Sequence, residues 1–145
     1  MRILIDADGC PVVDLTINLA QQWGIEVLIL CDTAHLIERE GAKTLTFASG
    51  ADSVDFALVN LLRPGDLVIT QDYGLAAMCL ARQALVIDQN GRQYTAANID
   101  GLLLSRHTAR KIRRSGGRTK GPAKRDASQD SAFAQTLLSL LQHIL

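Results

Sequence analysis

Five aspartates follow predicted strands closely and are candidates for metal binding and catalysis. They are Asp6 and Asp8 in Asp6-Ala7-Asp8-Gly9, Asp52 and Asp55, and Asp72 in Thr70-Gln71-Asp72. No lysine or arginine is interleaved with them, so carboxylates brought together here must raise their pKa values, stay solvated or bind a cation. An all-oxygen set of ligands suits Mg²⁺ or Mn²⁺ and does not suit zinc. The residue types therefore predict a divalent-metal site.

Each of these aspartates also has a structural interpretation. Asp52 and Asp55 stand three residues apart at a predicted helix start, where an N-cap and a first-turn acid are favoured. Asp72 is placed to cap the next helix, and Asp8-Gly9 is typical of a turn. Taken singly, each acid is explained in this way. Their convergence on one edge of a sheet favours the metal site.

Hydrophobic patterning predicts the elements that position these acids. Strands are predicted over residues 2–6, 26–31, 43–48, 67–70 and 84–88, with a short strand over 93–95 that returns through a two-residue turn at Asn90-Gly91. Helices are predicted over 12–23, 52–62, 73–82, 99–114 and about 129–144, the last one capped by Ser128 or Asp130. The alternation predicts one α/β domain over 1–145, with a mostly parallel central sheet and helices on both faces. In such a sheet the acidic loops share the carboxyl edge, where ligands bind.

A formal net charge of zero conceals an acidic body and a basic segment. Residues 1–104 carry 13 acidic and 6 basic side chains, whereas residues 105–126 carry 9 basic side chains and 1 acidic one. This division predicts an anionic polymer as partner, or a basic segment that folds over the acidic body.

The basic segment offers candidate ligands for phosphate. Its first arginines are spaced so that most share one helix face, and arginine forks match phosphate geometry. Nearby glycines leave backbone N–H groups open to an anion. No aromatic residue lies within 105–126, so base stacking is not predicted there. The candidate phosphate or nucleic-acid ligands are Arg106, His107, Arg110, Arg113, Arg114, Arg118, Thr119 and Lys120.

The opening Asp-x-Asp-Gly also resembles the first motif of the haloacid-dehalogenase-like phosphatases, in which the first Asp is a nucleophile and the second a general acid. That family next requires a strand-end Ser or Thr, then a Lys, then an acidic pair. Here the pair Asp52 and Asp55 precedes Thr70, and no suitable Lys lies between them. A phosphatase is therefore the minor alternative.

Four motifs in order resemble the YaiI/YqxD family of uncharacterised bacterial proteins. They are IDADGCPV at 5–12, GADSVDFA at 50–57, GDLVITQDYGLA at 65–76 and GGRTKGP at 116–122. The resemblance covers nearly the whole chain. That family is regarded as similar to PIN-domain nucleases, which cut RNA or DNA with Mg²⁺ or Mn²⁺ held by acids at the carboxyl edge of a parallel sheet.

The resemblance implies a role for particular residues. Asp6 matches the PIN acid that ends the first strand, the stretch from Asp52 to Asp55 matches the acid that opens a central helix, and Asp72 matches the last acid. Thr70 matches a hydroxyl often found beside it, which adds Thr70 to the catalytic candidates, whereas Asp8 is an additional acid. The early mid-chain Glu of many PIN nucleases has no clear match, and its candidates are Asp32, Glu38 and Glu40.

These observations predict a PIN-like, Mg²⁺- or Mn²⁺-dependent nuclease that acts on RNA more readily than on DNA. The alternative is a non-catalytic module that binds metal and a nucleic acid or nucleotide. No signal-peptide core and no apolar run of about 20 residues is present, so a cytoplasmic protein without membrane contact is expected. Cys10, Cys31 and Cys79 are expected to be free thiols. The oligomeric state is left open.

Overall fold

A central sheet of six strands organises the computed structural model, which describes residues 1–50, 52–117 and 124–144. The strands are β1 (Arg2–Asp6), β2 (Glu26–Asp32), β3 (Lys43–Phe47), β4 (Leu67–Ile69), β5 (Leu85–Ile87) and β6 (Gln93–Tyr94). The helices are α1 (Val13–Gln22), α2 (Ser53–Leu61), α3 (Tyr73–Ala81), α4 (Ile99–Arg114) and α5 (Ala127–Ile144). The strand order is β3-β2-β1-β4-β5-β6, and only β6 pairs antiparallel. The predicted α/β class with a mostly parallel sheet is confirmed.

Alternate residues of the strands bury opposite faces of the sheet, because successive side chains in a strand point to opposite sides. Ile3 and Ile5 of β1 pack in a core with α1 and α5, which contributes Phe133, fully buried. Leu4 packs in the second core with α2, α3 and the start of α4. The prediction of helices on both faces is thereby confirmed.

The chain reverses its direction of travel across the sheet between β1 and β4. After β1 the chain builds β2 and β3 on one side, and α2 then carries it back to β4 on the other side of β1. Ile5 of β1 stands in register with Ile69 of β4, so both strands end at the same level. Ligand sites in open α/β sheets form at such a switch point.

A buried ion pair fixes the opposite end of the same two strands. Arg2 Nη2 lies 2.7 Å from Asp66 Oδ2, and the Asp66 side chain is 4% exposed. Burial raises the pKa of the Asp66 carboxyl, but hydrogen bonds from the Arg2 side chain and the Arg63 and Arg2 backbone outweigh it and hold the pKa below its usual value. The start of β1 is therefore held beside the start of β4.

The β5–β6 connection and the cap of α5 differ from the predictions. Ile87 pairs with Gln93, and Asp88 N donates to Arg92 O, so the predicted two-residue turn at Asn90-Gly91 is a longer loop in which Gly91 adopts a φ of +85°. The buried Asp88 carboxylate accepts the N–H groups of Asn90 and Arg92, which stabilises the longer turn.

The predicted caps of the C-terminal helix, Ser128 and Asp130, lie inside α5. Asp126 Oδ1 accepts the Ser128 N–H at 2.9 Å, while Gln129 Oε1 accepts the Asp126 N–H at 2.8 Å. This reciprocal pair is a capping box, with Gln three residues after the capping Asp. The helix therefore begins at Ala127.

The cysteines behave as expected, with Cys31 and Cys79 buried, Cys10 half-buried and all three free. Within the described residues, none of the helices has the length and apolar character that crossing a membrane requires.

Candidate functional site

Aspartates from several strand ends line one continuous depression at the carboxyl edge. A cavity of about 170 Å³ is lined by Asp6, Asp8, Asp32, Asp52 and Asp55, among others. An adjoining, more open cavity of about 430 Å³ is lined by Asp6, Asp8, Gly9, Gln71, Asp72, Arg106 and Arg110. Because Asp6 and Asp8 line both cavities, we treat the two cavities as one acidic cleft. Its acidic lining residues are Asp6, Asp8, Asp32, Asp52, Asp55 and Asp72. The cleft lies at the switch point between β1 and β4.

Thr70 connects the two central acids of the cleft. Its Oγ1 donates to Asp6 Oδ2 at 2.8 Å and accepts the Asp72 N–H at 3.0 Å. The residue is 1% exposed, and its carbonyl accepts the Tyr94 hydroxyl at 3.1 Å. Since Thr70 has few ways to rotate in this setting, it holds the Asp6 carboxylate in a fixed orientation.

Asp72 combines a capping role with a place in the cleft. Its Oδ1 accepts the N–H groups of Gly74 at 2.8 Å and Leu75 at 3.1 Å, which caps α3 as the structural interpretation predicted. Arg106 Nη1 also approaches Oδ1, at 3.3 Å. These contacts use one carboxylate oxygen, so capping does not prevent Asp72 from binding a ligand through the other.

Asp52 does not cap α2 through its side chain. It occupies the N-cap position with a φ of +65°, a left-handed conformation that is uncommon outside glycine. The side chain makes no capping hydrogen bond and lines the cleft instead. The predicted N-cap position of Asp52 is therefore confirmed, but its side chain does not make the capping hydrogen bond. A backbone strained in this way is retained where surrounding contacts or function impose it.

Burial, with added repulsion from neighbouring carboxylates, raises the pKa values of two cleft residues, Asp55 and Asp6. Burial raises the pKa of Asp55 to about 6, with further contributions from the charges of Asp6, Asp72 and Asp52. Burial also raises the pKa of Asp6; the Thr70 hydrogen bond opposes this, and the charges of Asp72 and Asp8 add to it. The cleft therefore concentrates negative charge that a cation would stabilise.

We expect the Asp55→Asn variant to be more stable than wild type at pH 7.5 in EDTA, by about 1 kcal/mol. A folded-state pKa near 6, above the unfolded value of about 3.9, means that the carboxyl destabilises the fold increasingly as pH rises from 4 to 6. The full shift corresponds to roughly 3 kcal/mol, which solvent screening of this half-buried group reduces. Urea unfolding at pH 4 and pH 7.5 measures the difference.

Asp14→Asn serves as the control for this measurement, because the Asp14 side chain is 72% exposed and pairs with Arg39 outside the cleft. Its substitution should change stability little at either pH. An equal stability difference for Asp55→Asn at pH 4 and pH 7.5 would contradict the raised pKa of Asp55.

His35 forms an ion pair at the edge of the cleft. His35 Nδ1 lies 2.9 Å from Asp32 Oδ1, and Asp32 lines the cleft. The hydrogen bond with Asp32 raises the pKa of His35, helped by the charges of Asp32 and Asp8. The sequence signal is the Asp-x-x-His spacing immediately after β2.

The three candidates for the mid-chain acid, Asp32, Glu38 and Glu40, lie at two different places on the surface. Asp32 ends β2 and belongs to the cleft. Glu38 and Glu40 instead line a different surface cavity together with Arg39. Of the three, the structure brings only Asp32 to the acidic cleft.

Only some of the predicted phosphate ligands on α4 lie on the side of the helix that faces the cleft. Arg106 and Arg110 line the cleft, and the Arg106–Asp72 ion pair joins the basic segment to the acidic body. His107, Arg113 and Arg114 are exposed and do not line either cleft cavity. Arg118, Thr119 and Lys120 lie outside the described residues.

The acids of the cleft do not form a ready-made ligand shell. Across residues 1–50, 52–117 and 124–144, no group of three or more His, Cys, Asp or Glu side chains is arranged to hold a metal ion. The cleft is thus a region of convergent carboxylates, and a closed protein cage for a metal is absent from this part of the chain.

A family model described as uncharacterised BCR, YaiI/YqxD family, matches residues 4–143. The chain belongs to the YaiI/YqxD family. The resemblance carried by the four sequence motifs is thereby confirmed, and the match spans both the acidic cleft and the basic segment.

The similarity to related proteins covers nearly the whole chain. The UPF0178 protein of Exiguobacterium sibiricum is 59% identical over 141 residues, covering 97% of this chain and 96% of that protein. The UPF0178 protein of Ruminiclostridium cellulolyticum is 46% identical over 142 residues, covering 98% and 93%. That of Enterococcus faecalis is 41% identical over 148 residues and covers both chains completely.

Among solved structures, a mutant of Rae1 (YacP) from Bacillus subtilis superposes with a TM-score of 0.45 and 13% sequence identity, covering 100% of both chains. Similarity at this level transfers neither site residues nor activity to this chain.

Proposed function

We propose that this member of the YaiI/YqxD family is a metal-dependent nuclease that hydrolyses phosphodiester bonds of nucleic acid, RNA in preference to DNA. The observation that carries the proposal is the juxtaposition of the acidic cleft with Arg106 and Arg110. Carboxylates suit a divalent cation, and guanidinium groups suit the phosphate that such a cation activates. The PIN-like order of Asp6, Asp52 to Asp55, and Asp72 supports the same conclusion.

The donor set fits Mg²⁺ or Mn²⁺. Every candidate ligand is a carboxylate oxygen, and Asp6 and Asp55 have raised pKa values that a nearby cation would lower. Mg²⁺ commonly keeps several waters and binds through one or two carboxylates and substrate phosphates, so it does not need a three-residue cage. The residues that would hold it are Asp6, Asp8, Asp52, Asp55 and Asp72.

The residues of the cleft have different roles in the proposed reaction. A bound divalent ion supplies a Lewis acid and lowers the pKa of a water. Thr70 keeps the Asp6 carboxylate oriented through the 2.8 Å hydrogen bond. Arg106 and Arg110 hold the phosphate, and the several N–H donors of Arg106 allow it to keep Asp72 while binding an oxygen of the substrate.

A cleavage assay tests this function directly. Purified protein is incubated with end-labelled single-stranded RNA and DNA in Mn²⁺, Mg²⁺ or EDTA. We expect Mn²⁺- or Mg²⁺-dependent cleavage, faster on RNA, that EDTA abolishes. Intact substrates under every condition would overturn the nuclease proposal.

A non-catalytic module that binds metal and a nucleic acid or nucleotide is the second candidate, because the acids and arginines of the cleft would hold a cation and a phosphate even without cleavage. Calorimetric titration with Mn²⁺, combined with binding to RNA that is not cleaved, would support this candidate. Metal binding together with cleavage would support the nuclease.

An exposed aromatic residue near the cleft predicts a preference for single strands. Phe56 directly follows Asp55 on α2 and is 58% exposed. Stacking of a base on an aromatic ring is worth about 1 kcal/mol or more. We expect Phe56→Ala to weaken binding of single-stranded RNA roughly 5-fold in fluorescence anisotropy, with Ca²⁺ replacing Mn²⁺ to prevent cleavage.

Leu61→Ala, at the other end of α2, is the matched control for Phe56→Ala. It removes a 36% exposed apolar side chain from the same helix and should leave RNA affinity unchanged. Equal affinities of wild type and the Phe56→Ala variant would argue against stacking at this position.

A further inference from the structure

The face of α4 that points away from the cleft is uncharged and largely exposed. It is formed by Gly101, Leu104, Ser105, Thr108, Ala109 and Ile112, which line a shallow groove of about 450 Å³. Leu104 is 65% exposed and Ile112 is 41% exposed. A solvated helix normally carries polar or charged residues on its outer face. We refer to these six residues as the outer face of α4.

The opposite side of α4 already has partners. Ile99 is buried in the second core, where Leu102 and Leu103 pack against it, and Arg106 and Arg110 line the acidic cleft. With 100° between successive residues, Ile99, Arg106 and Arg110 lie about 120° or more around the helix from both Leu104 and Ile112. The outer face therefore contributes neither to the core nor to the cleft.

We propose that this chain forms a homodimer in which α4 packs antiparallel against α4 of a second copy through this outer face. The outer face of α4 is self-complementary in the size of its side chains. Reversal of the helix about its midpoint places Gly101 opposite Ile112, Leu104 opposite Ala109 and Ser105 opposite Thr108. A Cβ built on Gly101 meets nothing within 4 Å, so the glycine leaves an open notch that can receive Ile112 of the other copy.

The charges beside the outer face of α4 are also self-complementary. Asp100 in the first turn of α4 and Lys111 in its last turn lie at the same edge of the outer face, because a separation of 11 residues is close to three whole helical turns. Antiparallel packing brings the acidic start of one helix beside the basic end of the other, and it also opposes the two helix dipoles favourably. Parallel packing would place the two basic ends side by side. The same patch then serves both subunits, as a twofold interface requires.

The arrangement has a consequence for the cleft. Because Arg106 and Arg110 lie on the side of α4 away from the dimer contact, each subunit keeps its own cleft accessible. The helix that carries these arginines would be held between two protein bodies.

Sedimentation equilibrium of the full chain from about 1 to 100 μM tests the proposal. We expect wild type to be a dimer, and Leu104→Glu to weaken dimerisation at least about 100-fold by introducing a charge at the centre of the contact. Leu36→Glu is the matched control, because Leu36 is 57% exposed and lies outside α4. The Leu36→Glu variant should remain dimeric. Circular dichroism establishes that each variant is folded.

A charge-reversal cycle tests the antiparallel geometry. Asp100→Lys and Lys111→Asp should each weaken dimerisation roughly 5- to 10-fold, and the double variant should recover most of the loss. A monomeric wild type up to 100 μM, or a Leu104→Glu variant that remains dimeric, would overturn the proposal. A dimer sensitive to Leu104→Glu but without recovery in the double variant would overturn the antiparallel arrangement.

Discussion

Replacement of Asp6 by Asn is expected to slow cleavage of RNA in Mn²⁺ roughly 1,000-fold, equivalent to about 4 kcal/mol of transition-state stabilisation. Asn keeps the size of the side chain and an oxygen that accepts the Thr70 hydroxyl, so the local structure should persist. The charge needed to hold a divalent cation is lost. Single-turnover cleavage of labelled RNA measures the rate.

Asp72→Asn should give a comparable loss while α3 remains capped. Asn is about as good an N-cap as Asp, so the contacts with Gly74 and Leu75 can be retained. Asp14→Asn, an exposed acid outside the cleft, should cleave at the wild-type rate. If either cleft variant cleaves as fast as wild type, that carboxylate has no part in the chemistry.

The double variant Arg106→Ala/Arg110→Ala is expected to bind single-stranded RNA about 100-fold more weakly at low salt, since a hydrogen bond to a charged group contributes about 1.5 kcal/mol or more. The loss of two phosphate contacts should also reduce the slope of log affinity against log salt by about 1.4. Affinity for Mn²⁺ should rise in the same variant, because Asp72 loses its ion pair with Arg106. Anisotropy and calorimetry measure the two effects separately.

Arg82→Ala/Lys43→Ala is the matched control for this double variant. It removes the same net charge from two exposed residues outside the cleft. If both double variants weaken RNA binding equally, the long-range charge of the protein is responsible, and the proposed contacts of α4 in the cleft are wrong.

Much of the fold follows from local sequence signals. The buried apolar runs of β1 and β2 and the helical periodicity of α4 depend on neighbouring residues, so β1 and α4 match their predicted bounds and β2 ends within one residue of its own. The alternation of strands and helices favours a mostly parallel sheet, which in turn puts Asp6 and Asp72 at one edge. The sequence also places a cluster of basic residues late in the chain.

The cap of α5 and the length of the β5–β6 turn each had several possible solutions, and sequence patterns do not distinguish between them. Asp126, Ser128 and Asp130 are all good capping residues, and the choice of Asp126 follows from its reciprocal contact with Gln129. Likewise, the Asn90-Gly91 turn is lengthened because the buried Asp88 carboxylate holds two backbone N–H groups of the loop.

The sequence by itself determined the kinds of chemical group in the candidate site, the strand ends that carry them, and the family. Tertiary structure decided which groups meet. The hydrogen bond between Thr70 and Asp6 joins residues 64 positions apart, and it exists because β4 lies beside β1. The docking of α4 selects Arg106 and Arg110 for the cleft and leaves Leu104 exposed on the opposite side. Such contacts depend on strand order and helix orientation, which are set by burial summed over the whole chain.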